Sequence, residues 1–231
     1  DYRCAHCGHQ RPDLHVRATE IELDGIAAVS FTLETPSGRM RVRLPLPGLY
    51  NVYNALGAAA LTQALGTPLE EIRAGLERFS AAFGRFERIE VGDKRLLILL
   101  IKNPAGANEV VHTLLQGVAP SLLLVALNDA IADGKDVSWI WDVDFEPLLG
   151  RVERLIVSGA RAAELGVRAV YGGLDEEALE VQEDIERALD RGLELTPPGG
   201  ELVVLPTYTA MLALQRIVAD RGLVKPYWER T

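Results

Sequence analysis

Cysteine is scarce in this chain, basic residues are outnumbered, and no long hydrophobic run occurs. Each of these shortages removes a class of function. The cysteines are Cys4 and Cys7 alone, which argues against a disulfide scaffold and fits a reducing, cytoplasmic compartment. No run of about 18 apolar residues is present, so no membrane span is expected. No basic segment followed by an apolar one opens the sequence, so no signal peptide is expected either. Asp and Glu number 33 against 24 Lys and Arg, a net charge of −9. That balance argues against nucleic acid as the main partner, since phosphate backbones are held by clustered basic side chains. A phosphate loop of the form G-x-x-x-x-G-K-[ST] is also missing. The triplet Gly134-Lys135-Asp136 lacks the upstream glycine and the hydroxyl residue that would hold magnesium. There is no G-x-S-x-G elbow and no cysteine in a catalytic setting. This chain by itself is therefore not expected to bind a nucleoside triphosphate tightly.

What is present is an ordinary globular composition, 48% hydrophobic and 25% charged over 231 residues, enough for one large or two small cores. Three strand-like segments, residues 14–23, 26–34 and 40–46, are separated by turns at Asp24-Gly25 and Pro36-Ser37-Gly38. Helical spacing then takes over at residues 50–65. A second helix is expected after Thr67-Pro68, with Thr67 as N-cap and Pro68 in the first turn. A boundary is expected near residues 80–84. Beyond it short apolar strands alternate with helices: strands at 96–101, 121–127, 154–158, 167–171 and 201–205, and helices after Pro104, from Ala160, over 175–191 and over 208–220. Such alternation predicts an α/β fold with a mainly parallel sheet.

The densest chemistry lies in residues 127–145, LNDAIADGKDVSWIWDVDF. Five aspartates (Asp129, Asp133, Asp136, Asp142, Asp144) stand there beside Trp139 and Trp141. The loop leaves the carboxyl end of a buried strand, where open α/β sheets place their ligand sites. An acidic solvated loop with two core tryptophans would read the same way, but two of the three tryptophans in one loop point to packing against something.

Four further motifs are weaker. Cys4-Ala5-His6-Cys7-Gly8 has the shape of one zinc knuckle, whereas a tetrahedral site needs four ligands; two reduced thiols in a frayed terminus remain the other reading. Asn51 and Asn54 share a helix face, and their carboxamides suit an adenine edge, a cap or a neighbouring loop equally well. Arg85, after a glycine, could reach a phosphate or make an interdomain salt bridge. Lys102, in Lys102-Asn103-Pro104, ends a strand where a helix begins and could sit beside a phosphate; a plain turn is equally compatible.

In order, these segments resemble the Mur ligase superfamily. L-Y-N-V-Y-N-A-L-G-A-A is similar to the G-x-x-N-x-x-N-x-x-A-A segment closing that family's central ATPase domain, F-G-R-F-E to its G-R-x-E linker, and K-N-P-A-G to the H-N-P that opens its C-terminal domain. The half ribbon C-A-H-C-G-H and the long acidic segment are specifically similar to the MurT family, ligase subunits that pair with the glutaminase GatD.

The resemblance implies a domain plan. Residues 1–80 would be the C-terminal part of a Mur ligase central domain, with half a zinc ribbon at 1–12. Residues 81–231 would be a Rossmann-like, GatD-binding C-terminal domain. The phosphate loop and the other cysteine pair would lie upstream of Asp1, leaving this chain alone inactive. The resemblance also implies a lipid II isoglutaminyl synthase, which uses MgATP and ammonia from GatD to amidate the α-carboxyl of D-glutamate in the stem peptide, at the inner face of the membrane. In that family the aspartate at the position of Asp136 completes the Cys–His–Asp triad of GatD across the interface. Asn54, with Asn51 beside it, Arg85 and Lys102 would serve ATP; Trp139 and Trp141 would anchor GatD; Cys4 and Cys7 would be zinc ligands. A non-catalytic GatD-binding module, or another Mur-type ligase such as a folylpolyglutamate synthase, remain the competing readings.

Overall fold

The structure is a computed structural model describing residues 2–79, 85–117 and 120–225. Two compact units divide it, residues 1–80 and 81–231. The expected chain order of strands and helices is borne out in outline and corrected in three places.

In the first unit β1 (Arg17–Asp24), β2 (Ala28–Thr35) and β3 (Gly38–Leu44) form an antiparallel meander in that order. Alternation places Val29, Phe31, Leu33, Val42 and Leu44 on one face, where Val52, Ala55 and Ala59 of α1 (Leu49–Ala64) and Ile72 of α2 (Leu69–Glu77) cover them. Burying each large side chain contributes about 1.5–3 kcal/mol. The strands also carry cross-strand pairs such as Arg17–Glu34 and Arg43–Asp24, which are solvated and contribute about 0–1 kcal/mol each. The apolar face therefore fixes the register. Pro68, rather than Thr67, occupies the N-cap of α2, and its ψ of 143° keeps it outside the helix.

The second unit holds a six-stranded sheet ordered β4-β5-β9-β6-β7-β8. Its strands are β4 (Arg85–Val91), β5 (Lys94–Leu99), β6 (Leu122–Ala126), β7 (Arg154–Ser158), β8 (Leu179–Val181) and β9 (Glu201–Pro206). Only β4 runs antiparallel, against β5; the other pairings are parallel. Ile98, Leu124, Ile156 and Val204 pack under Ala188 and Leu189 of α6 (Ile185–Leu195) and Met211, Leu214 and Val218 of α7 (Tyr208–Asp220). Buried neighbours on the same strands, among them Leu123, Val125, Leu155 and Val157, face the opposite way. They meet Phe145, Leu149, Leu165 and Ala169, so helices cover both faces of the sheet. That coverage is why these strands read as unbroken apolar runs.

The other two corrections concern the far side of the sheet. Residues 167–171, expected as a strand, are the last turns of α5 (Ala162–Tyr171). Residues 175–191, expected as one helix, hold a 3₁₀ turn (Glu176–Ala178), β8 and the start of α6.

Between β6 and β7 no long helix forms. The acidic loop supplies instead a 3₁₀ helix, Ser138–Asp142, and the short α4 (Glu146–Leu149), packed against α3 (Pro104–Gln116) and α5. No described helix is long and apolar enough to cross a membrane.

Candidate functional site

The parallel strands β5, β9, β6 and β7 end along one edge of the sheet, and backbone bonds stitch their exits together. Ile101 N–H donates to Pro206 O, Thr207 N–H to Ala126 O, and Leu127 N–H to Ser158 O, at 3.0, 2.9 and 2.9 Å. Asn128, just past β6, extends the stitching with its side chain. Its Oδ1 accepts from Ala160 N–H at 3.0 Å, and its Nδ2 donates to Thr209 Oγ1 at 3.0 Å. Gly159 has φ +90°, and a Cβ there would stand 2.5 Å from Leu127 O; glycine is required by the close approach of two strand exits.

On this platform the five aspartates take different roles. Asp129 pairs with Arg161 at 3.3 Å. The Asp133 carboxylate accepts from Thr209 N–H at 2.9 Å and from its hydroxyl, capping α7 from another loop. Asp142 and Asp144 are held through their backbones: Asn108 Nδ2 donates to Asp142 O, and Asp144 N–H donates to Asn108 Oδ1 at 2.8 Å.

Asp136 is exposed, as are Asp142 and Asp144; unlike those two it has a described carboxylate bond, its Oδ1 accepting from Ser138 N–H at 2.8 Å. The Ser138 side chain first, and its N–H second, hold the carboxyl below the usual carboxylate range. The ion pairs among the described residues do not include it. The result is an ionised carboxylate, fixed by one oxygen at the start of a 3₁₀ helix and open to solvent.

Buried Val137 and Ile140 seat that helix. Trp139 is half-buried. The Trp141 ring is 50% exposed, stands edge-on to Tyr171 at 5.7 Å, and lies 5.5 Å from the Arg168 guanidinium. Val167 and Tyr171, one helical turn apart on α5, are exposed as well, so an apolar surface borders the loop that carries Asp136.

Arg168, Asn128, Asn108, Thr209 and Gly159 were not among the expected site residues. A signal for Arg168 existed. On a helical reading it joins Ala162, Leu165 and Ala169 on the buried face, a position that ordinarily takes an apolar residue. Reading residues 167–171 as a strand concealed it.

The other expected residues lie elsewhere. Lys102 is exposed at the exit of β5, before Asn103, whose side chain accepts from Gly106 N–H at 2.8 Å and caps α3. Asn51 is buried. Its Nδ2 donates to Pro47 O at 2.7 Å, and its Oδ1 accepts from Asn54 Nδ2 at 3.2 Å, so Asn51 orients the exposed Asn54. Both belong to the first unit. Arg85 begins β4, but its side chain, like the preceding Phe83 and Gly84, lies outside the described residues.

Cys4 and Cys7 occupy a tight turn between bridged Arg3 and Gln10, with Gly8 at φ +73°. The Cys7 and then the His6 backbone N–H groups hold the Cys4 thiol below its ordinary value, as a metal-binding knuckle requires. Among the described residues, however, no group of three or more His, Cys, Asp or Glu side chains comes together. Two thiols could supply at most two of the four donors that a tetrahedral zinc site needs.

Comparison with known proteins agrees with this geometry. The MurT ligase C-terminal family matches residues 100–211. The chain is 34% identical, over 97% of its length, to the MurT subunit of the lipid II isoglutaminyl synthase (glutamine-hydrolyzing) of Streptococcus pneumoniae, and 34% identical, over 73% of its length, to that of Staphylococcus aureus. It spans 49% and 38% of those relatives. Among solved structures it is similar to MurF from Acinetobacter baumannii, with a TM-score of 0.67 and 28% identity over 89% of this chain and 45% of that one. The folylpolyglutamate synthase of Mycobacterium tuberculosis, complexed with ADP, shares the fold with a TM-score of 0.67 at 20% identity, over 89% of this chain and 48% of that one. With a family match over residues 100–211, a matching fold and a similarity running nearly end to end, the chain carries a MurT ligase C-terminal domain.

Proposed function

We propose that this chain is part of the ligase subunit of a lipid II isoglutaminyl synthase, and that Asp136 completes the active site of a GatD-type glutaminase bound beside it. The observation that carries the reading is the state of Asp136: ionised, pinned at one oxygen, solvent-facing, and bordered by the half-exposed Trp141. A triad carboxylate must accept from a histidine N–H and stabilise the imidazolium that forms when the thiol is deprotonated. Asp136 faces solvent and would accept that bond, supplied from this chain. Trp139 and Trp141 anchor the partner, since aromatic side chains dominate such contacts.

In the proposed reaction the glutaminase thiolate attacks the glutamine carboxamide carbon, ammonia departs, and water releases glutamate. In the ligase, ATP phosphorylates the α-carboxylate of D-glutamate in the stem peptide of lipid II. Ammonia then attacks the acyl carbon and phosphate leaves, forming D-isoglutamine at the inner face of the membrane. Asn54, oriented by Asn51, together with Arg85 and Lys102, would contact ATP. Mg²⁺ would accompany the nucleotide, and Cys4 and Cys7 would contribute to a zinc site completed by residues other than those described.

The test is Asp136→Asn in the ligase subunit reconstituted with its glutaminase. The amide keeps the shape but presents the wrong hydrogen-bond character to the histidine. In serine proteases the analogous change costs about 10⁴ in kcat; here glutamine hydrolysis is expected to fall at least about 100-fold while the subunits stay associated. Hydrolysis at the unmutated rate would refute the assignment.

A further inference from the structure

Arg168 is a charged side chain only 4% exposed, in a helix whose buried positions are otherwise small or apolar. Charge is costly to bury unless its hydrogen bonds are satisfied. Its Nε donates to Ile140 O at 3.1 Å, and its Nη2 donates to Val143 O at 2.7 Å and to Glu146 Oε1 at 2.8 Å. The guanidinium also lies 5.5 Å from the Trp141 ring centre and 5.6 Å from that of Phe145. Among the described residues Glu146 is the one anionic contact, and its side chain is 53% exposed, so a solvated ion pair does not account for the burial. The backbone carbonyls do. Ile140 and Val143 stand at the C-terminal end of the 3₁₀ helix Ser138–Asp142, where carbonyls have no partner within the helix. A cation at that end also matches the direction of the helix dipole.

The opposite end of the same helix holds Asp136, through Ser138 N–H. On the other side of Asp136 the chain passes through exposed Lys135 and Gly134, which has φ +95° and open space around it. Upstream, Gly134 N–H donates to Ala130 O at 3.0 Å and the Asp133 carboxylate holds Thr209, which ties the backbone before Lys135 without reaching the Asp136 carboxylate. The bond described to that carboxylate comes from the 3₁₀ helix, and that helix is clamped by Arg168.

We propose that Arg168 is a positioning residue for the proposed trans-acting carboxylate: by clamping the Ile140 and Val143 carbonyls it holds Asp136 at the place the partner's histidine must find it. This inference rests on the reading of Asp136 given above. A lysine cannot replace the arginine fully, because one ammonium cannot span both carbonyls and Glu146 in the fixed planar geometry of a guanidinium. A displacement of about 1 Å in a catalytic group can cost about 100-fold in rate, so a clamp that never touches the reacting atoms can still govern kcat.

The experiment uses the full ligase subunit saturated with its glutaminase, and measures kcat and KM for glutamine with Arg168→Met, Arg168→Lys, Asp136→Asn and the Asp136→Asn/Arg168→Met double variant. Arg168→Met is expected to lower kcat at least about tenfold with KM for glutamine nearly unchanged, and Arg168→Lys to restore part of the loss. In the Asp136→Asn background Arg168→Met is expected to add nothing, since a residue acting only through Asp136 has nothing left to position. An unchanged kcat in Arg168→Met overturns the inference, as does an equal loss with and without Asp136. Should Arg168→Met fail to fold, Arg168→Lys decides: a wild-type kcat overturns the inference and a kcat reduced at constant KM supports it. If Asp136→Asn itself hydrolyses glutamine normally, the functional reading fails first. If it is inactive while both Arg168 variants are normal, only the positioning role fails.

Discussion

Thr207 stands at the N-cap of α7, yet its side chain makes no cap bond; its Oγ1 accepts from Asn128 N–H at 2.9 Å. Asp133 fills the vacancy from the acidic loop by accepting from Thr209 N–H. Losing an N-cap acceptor costs about 0.5–2 kcal/mol. Asp133→Ala is therefore expected to lower the melting temperature by a few degrees while sparing Asp136, as measured by thermal unfolding beside glutaminase activity. Glu146 supplies a pH dependence. Its own backbone N–H, and then Arg168, hold its carboxyl below the usual range. A depressed carboxyl contributes stability that is present above its unfolded value of about 4.3 and is lost as pH falls through the lower folded value. The fluorescence of Trp139 and Trp141, in a Trp228→Phe background, is expected to hold steady through neutral and mildly acid pH and to change below about pH 4. A change centred near pH 6 would contradict this. Residue types made Asp136 legible as a candidate in the sequence. They could not separate it from Asp129 and Asp133, because that separation depends on Arg161 and Thr209, which reach the loop from distant elements.

Elements were legible where their periodicity was undisturbed, as in β7 and α7, and obscured where tertiary contacts overrode it. The segment Val167-Arg168-Ala169-Val170-Tyr171 reads as strand because β-branched and aromatic residues favour strands. It is helical because Ala162, Leu165 and Ala169 share one buried face. Strand β4 escaped notice for the opposite reason. Phe86 adopts φ +64° where the pairing with β5 slips between Arg85 and Glu87, and a bulge breaks the two-residue period. The crossover from β6 to β7 was legible only as an acidic loop, since a 3₁₀ helix and a single turn of α4 leave no amphipathic signature. Gly159 joins β7 to α5. Gly159→Ala would drive a methyl group into Leu127 O, at a φ that L-residues rarely adopt. A loss of about 2–3 kcal/mol is expected in chemical denaturation, with the midpoint lowered and the slope unchanged.

At the scale of the whole molecule, the core under α1 and α2 and the core under α6 and α7 share no residue, and every contact described around Asp136 lies within residues 81–231. That segment expressed alone is expected to melt cooperatively and to bind the glutaminase. A non-cooperative melt would show that its core depends on the first unit. The position of β9 carries a further consequence. Strand β9, the last in sequence among the described residues, enters the middle of the sheet, pairing Arg95 with Glu201 on one side and Leu123 with Val203 on the other. A chain emerging from the ribosome thus displays two incomplete half-sheets until residues 201–206 appear, and Thr209, which holds Asp133, follows three residues later. The loop that would greet the glutaminase cannot take its described form before then. An unfinished or C-terminally clipped subunit would present no completed docking surface, so the order of synthesis itself would keep immature subunits out of the complex.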